Sequence, residues 1–107
     1  MKNIDKSVVY TAIQNKAKEI MPVGSQVILY GSQARGDARP DSDWDILILL
    51  DKNRIQLDDY DLYSYPLREL GWEMNVDINA ILYTKSHWEN EKFTPFYKTV
   101  TEEGILL

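Results

Sequence analysis

Two aspartates spaced i, i+2, Asp43 and Asp45, open an apolar run from Ile46 to Leu50, and a Gly31-Ser32 pair precedes them by ten residues. Divalent cations such as Mg2+ select hard carboxylate oxygens, while a small turn exposes backbone N–H groups and a hydroxyl to phosphate oxygens. Alternation along a strand puts Asp43 and Asp45 on one face and Trp44 and Ile46 on the other. Two carboxylates held that close repel each other, and a divalent cation removes the conflict. Mg2+ commonly takes one or two carboxylates together with substrate phosphates. The segment reads as a site for a metal-bound nucleotide.

A two-ion arrangement, with the ions about 3.5–4 Å apart, calls for a third carboxylate from a neighbouring strand. Asp77, an acid in the otherwise apolar run Val76 to Leu82, is the candidate. The competing reading is a strand-end aspartate paired with Arg or Lys. Arg35 and Arg39 can reach phosphate oxygens bidentately or simply neutralise the local acids. Asp37 and Asp41 follow Gly36 and Pro40 and read as turn residues. His87 reads as a surface helix residue. Trp44, Trp72, Trp88, Tyr60, Tyr63 and Tyr65 read mainly as core, with the tyrosines also suited to an interface.

The elements that position these residues follow from periodicity. Val9, Ile13, Ala17 and Ile20 recur at helical spacing over 6–20, with Asp5 as N-cap. Pro22-Val23-Gly24 breaks that helix, and Gln26 to Tyr30 reads as a short buried strand entering the Gly31-Ser32 turn. Asp45 to Leu50 is a strand apolar on both faces. Residues 57–72 read as a helix with acids at its start, Gly71 near its end, and a kink or break at Pro66. Val76 to Tyr83 is a third strand. Ser86-His87-Trp88-Glu89 has the form of a capping box, and Thr94-Pro95 with Gly104 frames a last helix. Strands alternating with helices predict a layered α/β (α+β) fold with at least three strands.

At 107 residues the chain reads as one domain, 1–107, large enough for a single core but not for an added acceptor-binding domain. It has no cysteine and one histidine, so thiolate zinc sites and multi-histidine metal sites are excluded and any metal is held by oxygen. The net charge of −5 argues against a broad nucleic-acid footprint. No signal-like core opens the sequence and no run approaches the roughly 20 apolar residues of a membrane span, so the expected location is the cytoplasm.

The string from Gly31 to Asp45, Gly-Ser-Gln-Ala-Arg-Gly-Asp-Ala-Arg-Pro-Asp-Ser-Asp-Trp-Asp, resembles the Gly-Ser-x10-Asp-x-Asp signature of the polymerase-beta-like nucleotidyltransferase superfamily, and in particular its minimal members. The similarity runs from the helix before Gly31 through the Asp77 strand. It implies a mixed sheet flanked by helices, with Asp43 and Asp45 as metal ligands and Asp77 at the third acid. It also implies Mg2+ (or Mn2+) as the ion, and Gly31 and Ser32, joined by Arg35 and Ser42, as nucleotide-binding residues. The expected reaction moves a nucleoside monophosphate, AMP from ATP, to a hydroxyl acceptor. Minimal members are often encoded beside a helical partner of the HEPN class in toxin–antitoxin-like pairs, so a protein partner is a further implication. The rival expectation is a non-catalytic antitoxin-like module covering such a partner; a homo-oligomer is compatible with either.

Overall fold

The computed structural model describes residues 5–107; residues 1–4, on which the absence of a signal-like N-terminus partly rests, lie outside the described residues. Helix α1 (Lys6–Ile20) starts where predicted: the Asp5 carboxylate accepts from the Ser7 N–H and hydroxyl, both at 2.8 Å. That hydrogen bonding holds the exposed Asp5 carboxyl below its ordinary pKa. Strand β1 (Gln26–Tyr30) follows, then a single helical turn α2 (Ser32–Arg35) and strand β2 (Trp44–Leu50).

From β2 the chain crosses over through α3 (Leu57–Asp59), a π-helical turn (Tyr60–Ser64) and α4 (Tyr65–Glu73) into β3 (Ile78–Thr84). Helices α5 (Lys85–Asn90) and α6 (Pro95–Glu103) and a two-residue strand β4 (Ile105–Leu106) complete the chain. The strand order is β3-β2-β1-β4, with β2 and β3 parallel and the other pairs antiparallel. This is the mixed sheet flanked by helices expected from the sequence.

Strand β2 is central and buried on both faces, which explains its unbroken apolar run. Ile46, Ile48 and Leu50 pack with Val9, Ile13 and Leu67 on one side. Leu47 and Leu49 pack with Trp88 and Val100 on the other. Asp45 and Asn79, opposite each other in the β2–β3 register, share the parity of Leu47 and Ile81. The acid therefore emerges on the α5/α6 face, at the end of that second core.

Pro66 marks the expected break between two short helices: the π-helical turn separates α3 from α4. It sits in the first turn of α4, immediately after the π-helical turn, where the Tyr65 N–H reaches back to the Tyr60 carbonyl. That wider turn absorbs the missing Pro66 N–H. Several boundaries differ from the sequence expectation. Gly71 is not the helix stop. A Cβ on it would lie 2.8 Å from the Val76 carbonyl oxygen and 2.9 Å from Ile78 Cγ1, while Asn75 takes the left-handed turn at φ 60°.

Strand β3 begins at Ile78, so Asp77 precedes it rather than lying within it. The cap of α5 is Thr84, whose hydroxyl accepts from the His87 N–H at 3.0 Å, not Ser86. Trp44 and Trp88 are core residues, but Trp72 is 59% exposed and stacks edge-on against the half-exposed Tyr65. Among the described residues no helix is long and apolar enough to cross a membrane.

Candidate nucleotidyl-transfer site

The β1–β2–β3 register brings the candidate residues to one end of the sheet. Tyr30 lies opposite Asp45 on β1, and Asn79 lies opposite it on β3. The Asn79 side-chain amide donates to Asp43 Oδ2 at 2.9 Å and to Asp45 Oδ1 at 3.3 Å. One donor thus gathers both carboxylates on the face the i, i+2 spacing predicts. Trp44, between them, turns into the opposite core.

Asp45 is half-buried and Asp43 exposed. Desolvation pushes the Asp45 carboxyl above its ordinary pKa; the Asn79 hydrogen bond opposes this, the charge of Asp43 adds to it, and Arg35 opposes it again. Tyr30, beside Asp45, is pushed up to about 12 by desolvation and then by the charges of Asp45 and Tyr83. Both effects describe excess negative charge in a partly dry place. Two hard oxygen donors in that condition fit a divalent cation, which would stabilise the ionised pair.

Gly31 is required where it stands. Its φ of 81° favours glycine, and a Cβ there would lie 2.5 Å from Asp45 Oδ2. The turn and the acid pair are therefore in direct contact, although 14 positions separate Gly31 from Asp45 in the sequence. Ser32 opens α2 and is partly buried. Gln33 Nε2 donates to the Ser42 carbonyl at 3.2 Å, and Ser42 Oγ accepts from the Arg39 N–H at 2.8 Å. Ser42 thus shapes the loop that delivers Asp43.

Arg35 donates to Asp37 through Nε at 3.2 Å, and through Nη1 to both Glu103 oxygens at 3.1 Å. The neutralising reading of Arg35 describes these contacts.

Asp77 is adjacent but not bonded to the pair. Its carbonyl accepts from the Trp44 N–H at 2.8 Å, which sets its backbone beside that of Asp43. Among the described residues no Lys or Arg pairs with its carboxylate. Among them, too, no group of three or more His, Cys, Asp and Glu residues is arranged to hold a metal ion.

A polar cleft of about 320 Å3 opens here, with Ser42, Trp72, Asn75 and Asp77 in its walls. A larger one of about 600 Å3, beside Phe93 and Tyr97, contains none of the site residues.

The sequence reading missed Asn79 and Glu103. Asn79 carried a signal, since it alternates with Asp77 and Ile81 and its amide interrupts an apolar strand. Glu103, 72 positions from Gly31, carried none.

A mixed sheet that presents paired carboxylates beside a Gly-Ser turn is the framework of nucleotidyl-transferring domains. Residues 11–107 match the nucleotidyltransferase domain family, and the chain belongs to it. It is 35% identical over 82 residues to a Methanocaldococcus jannaschii protein named "Putative protein adenylyltransferase", a match spanning 77% of this chain and 76% of that one. Among solved structures it resembles a toxin–antitoxin with AMP-PNP (TM-score 0.62, 15% identity, 96% of this chain and 72% of the other). It also resembles a toxin–antitoxin MntA–HpeT mutant (TM-score 0.53, 15% identity, 97% and 72%). At that identity the structural likeness speaks to the fold.

Proposed function

We propose that this chain is a Mg2+-dependent nucleotidyltransferase that moves AMP from ATP to a hydroxyl on a protein acceptor. The observation that carries the reading is the Asp43–Asp45 pair, gathered by one amide and pressed against the Gly31 turn. The relative's name, protein adenylyltransferase, and the AMP-PNP in one structural neighbour support the choice of nucleotide and acceptor.

Asp43 and Asp45 would hold Mg2+, with Mn2+ as a substitute, and the ion would supply neutralisation of charge on the phosphates. Gly31 and Ser32 contribute an N–H and a hydroxyl to the phosphates, and Arg35 a guanidinium. Ser42 braces the loop beside them. In this reading the phosphates meet the Gly31-Ser32 turn that follows β1, and the acceptor approaches from the side of the segment that leads into β3. Asp77 and the polar cleft lie there.

The acceptor oxygen forms a bond to the α-phosphorus as the bond to the bridging oxygen breaks, and pyrophosphate leaves. Asp77, exposed and without a Lys or Arg partner among the described residues, takes the acceptor's proton. Catalysis is then chiefly positioning and electrostatics, as for phosphoryl-type transfers.

The test is release of pyrophosphate from ATP and Mg2+ in the presence of host lysate or the neighbouring gene product. Release by the wild type that is abolished in the Asp43→Asn/Asp45→Asn variant is expected; equal release by the variant would sink the assignment.

A second reading, a module that covers a HEPN-type helical partner without catalysis, draws on one observation. The crossover segment exposes Leu57, Tyr60, Leu62, Tyr65 and Trp72. Neutralisation of a partner by the double aspartate variant as effective as by the wild type would favour it.

A further inference from the structure

The Gly31 N–H, proposed above to meet a nucleotide phosphate, already has an anionic partner: it donates to Glu103 Oε2 at 2.5 Å. Arg35 Nη1 closes on the same carboxylate, 3.1 Å from each oxygen. Carboxylate and phosphate oxygens are recognised by the same donors, a guanidinium and a close backbone N–H. Glu103 therefore occupies the place a phosphate oxygen would take.

Its position is built by the end of the chain. Glu103 is the last residue of α6, and the Gly104 N–H donates to the Val100 carbonyl; a Cβ on Gly104 would lie 2.7 Å from Ile28 Cγ2, so the turn needs glycine. Strand β4 then pairs with β1 through Ile28–Leu106 and Leu29–Ile105, and the Leu107 N–H donates to the Val27 carbonyl at 2.9 Å. This short edge strand is anchored along β1, the same strand that runs into Gly31.

A carboxylate at a helix C-terminus faces the negative end of the helix dipole, so its own element disfavours it there. The Gly31 N–H and Arg35 offset that cost. The side chain is only 16% exposed, which strengthens the contact relative to a surface ion pair.

We infer that Glu103 is an internal competitor for the nucleotide's phosphates: it fills the Gly31–Arg35 cradle in the free protein and must leave for a triphosphate to bind. The inference rests on the reading of Gly31 as a phosphate-binding residue. Displacement frees Arg35 Nη1 and the Gly31 N–H together. The cradle is thus kept satisfied when empty of ligand, and nucleotide affinity is set below what its donors would give unopposed.

The test is a calorimetric titration of the full chain with AMP-PNP and Mg2+, comparing wild type with Glu103→Gln and Glu103→Asp. The first keeps the shape without the charge; the second keeps the charge on a stem one methylene too short to reach Gly31. Unfolding midpoints establish that each variant is folded. Charge-assisted hydrogen bonds of this kind, discounted for partial exposure, correspond to a roughly five- to tenfold lower Kd in both variants. Unchanged or weaker binding in the variants, with the wild type binding normally, would overturn the competitor role and leave Glu103 as a brace for Arg35. Absence of binding in wild type and variants alike would remove the phosphate reading itself, and this inference with it.

Discussion

Asn79 is the residue on which the geometry of the acid pair turns. Without its amide, Asp43 and Asp45 would be two neighbouring carboxylates free to diverge, one exposed and one in a partly dry site. Groups that orient metal ligands typically cost 10–100-fold when removed. Asn79→Ala is accordingly expected to lower transfer activity by about that factor and to shift the Mg2+ titration to higher concentration, with the thermal midpoint little changed. An unchanged Mg2+ titration would mean the amide does not organise the site.

Gly31→Ala should be worse on both counts. It forces φ 81° on a residue with a Cβ and drives that Cβ into Asp45. A loss of about 1–3 kcal/mol in stability is expected by denaturant titration, together with loss of activity. At this scale the spacing of Asp43 and Asp45 was legible because a two-residue period fixes the face whatever the tertiary fold. Glu103 was not, because its partners are set by where α6 ends and not by any local pattern.

Among the elements, β2 explains itself: seven residues, apolar on both faces from Ile46 onward, central in the sheet. Its far end is tied to the crossover by Lys52, whose ammonium meets Asp59 at 2.9 and 3.0 Å, while the Gln56 N–H donates to the same carboxylate at 2.7 Å. Desolvation acts to raise the Asp59 pKa, but the Gln56 N–H and Lys52 outweigh it and hold the carboxyl below its ordinary value. With the folded value depressed, the stabilisation is fully present above the unfolded pKa of about 3.9 and is lost as pH falls through the folded one. Asp59→Asn should therefore cost about 1–3 kcal/mol near neutrality. The gap from wild type should close on acidification below about pH 4, checked by urea titrations across pH. A gap independent of pH would show that packing, not charge, is what Asp59 contributes.

Helical period made α1 legible, apolar runs made β1 and β2 so, and the Thr94-Pro95 and Gly104 end signals made α6 so. The π-helical turn, the Thr84 cap and β4 were not. Pro66 signals an interruption but not that it takes the form of a π-helical turn, Thr84 caps only because β3 runs up to it, and a two-residue exposed strand has no period to read.

For the molecule as a whole, the net charge of −5 accords with the proposal that phosphates are met through a local cation and not through the protein's own field. The acid pair stands at the start of the central strand β2, between the Gly31 turn that follows β1 and the Asp77 segment that precedes β3. Of the crossover's exposed aromatics, Trp72 also lines the polar cleft beside Asp77.

The most direct measurement is a paired labelling reaction with Mg2+, host lysate or the neighbouring gene product, and ATP carrying label at either the α- or the γ-phosphate. The proposed chemistry predicts label on a discrete acceptor from α-labelled ATP only, and none in the Asp43→Asn/Asp45→Asn variant. Transfer of the γ-label, or α-label transfer that survives loss of both aspartates, would contradict it.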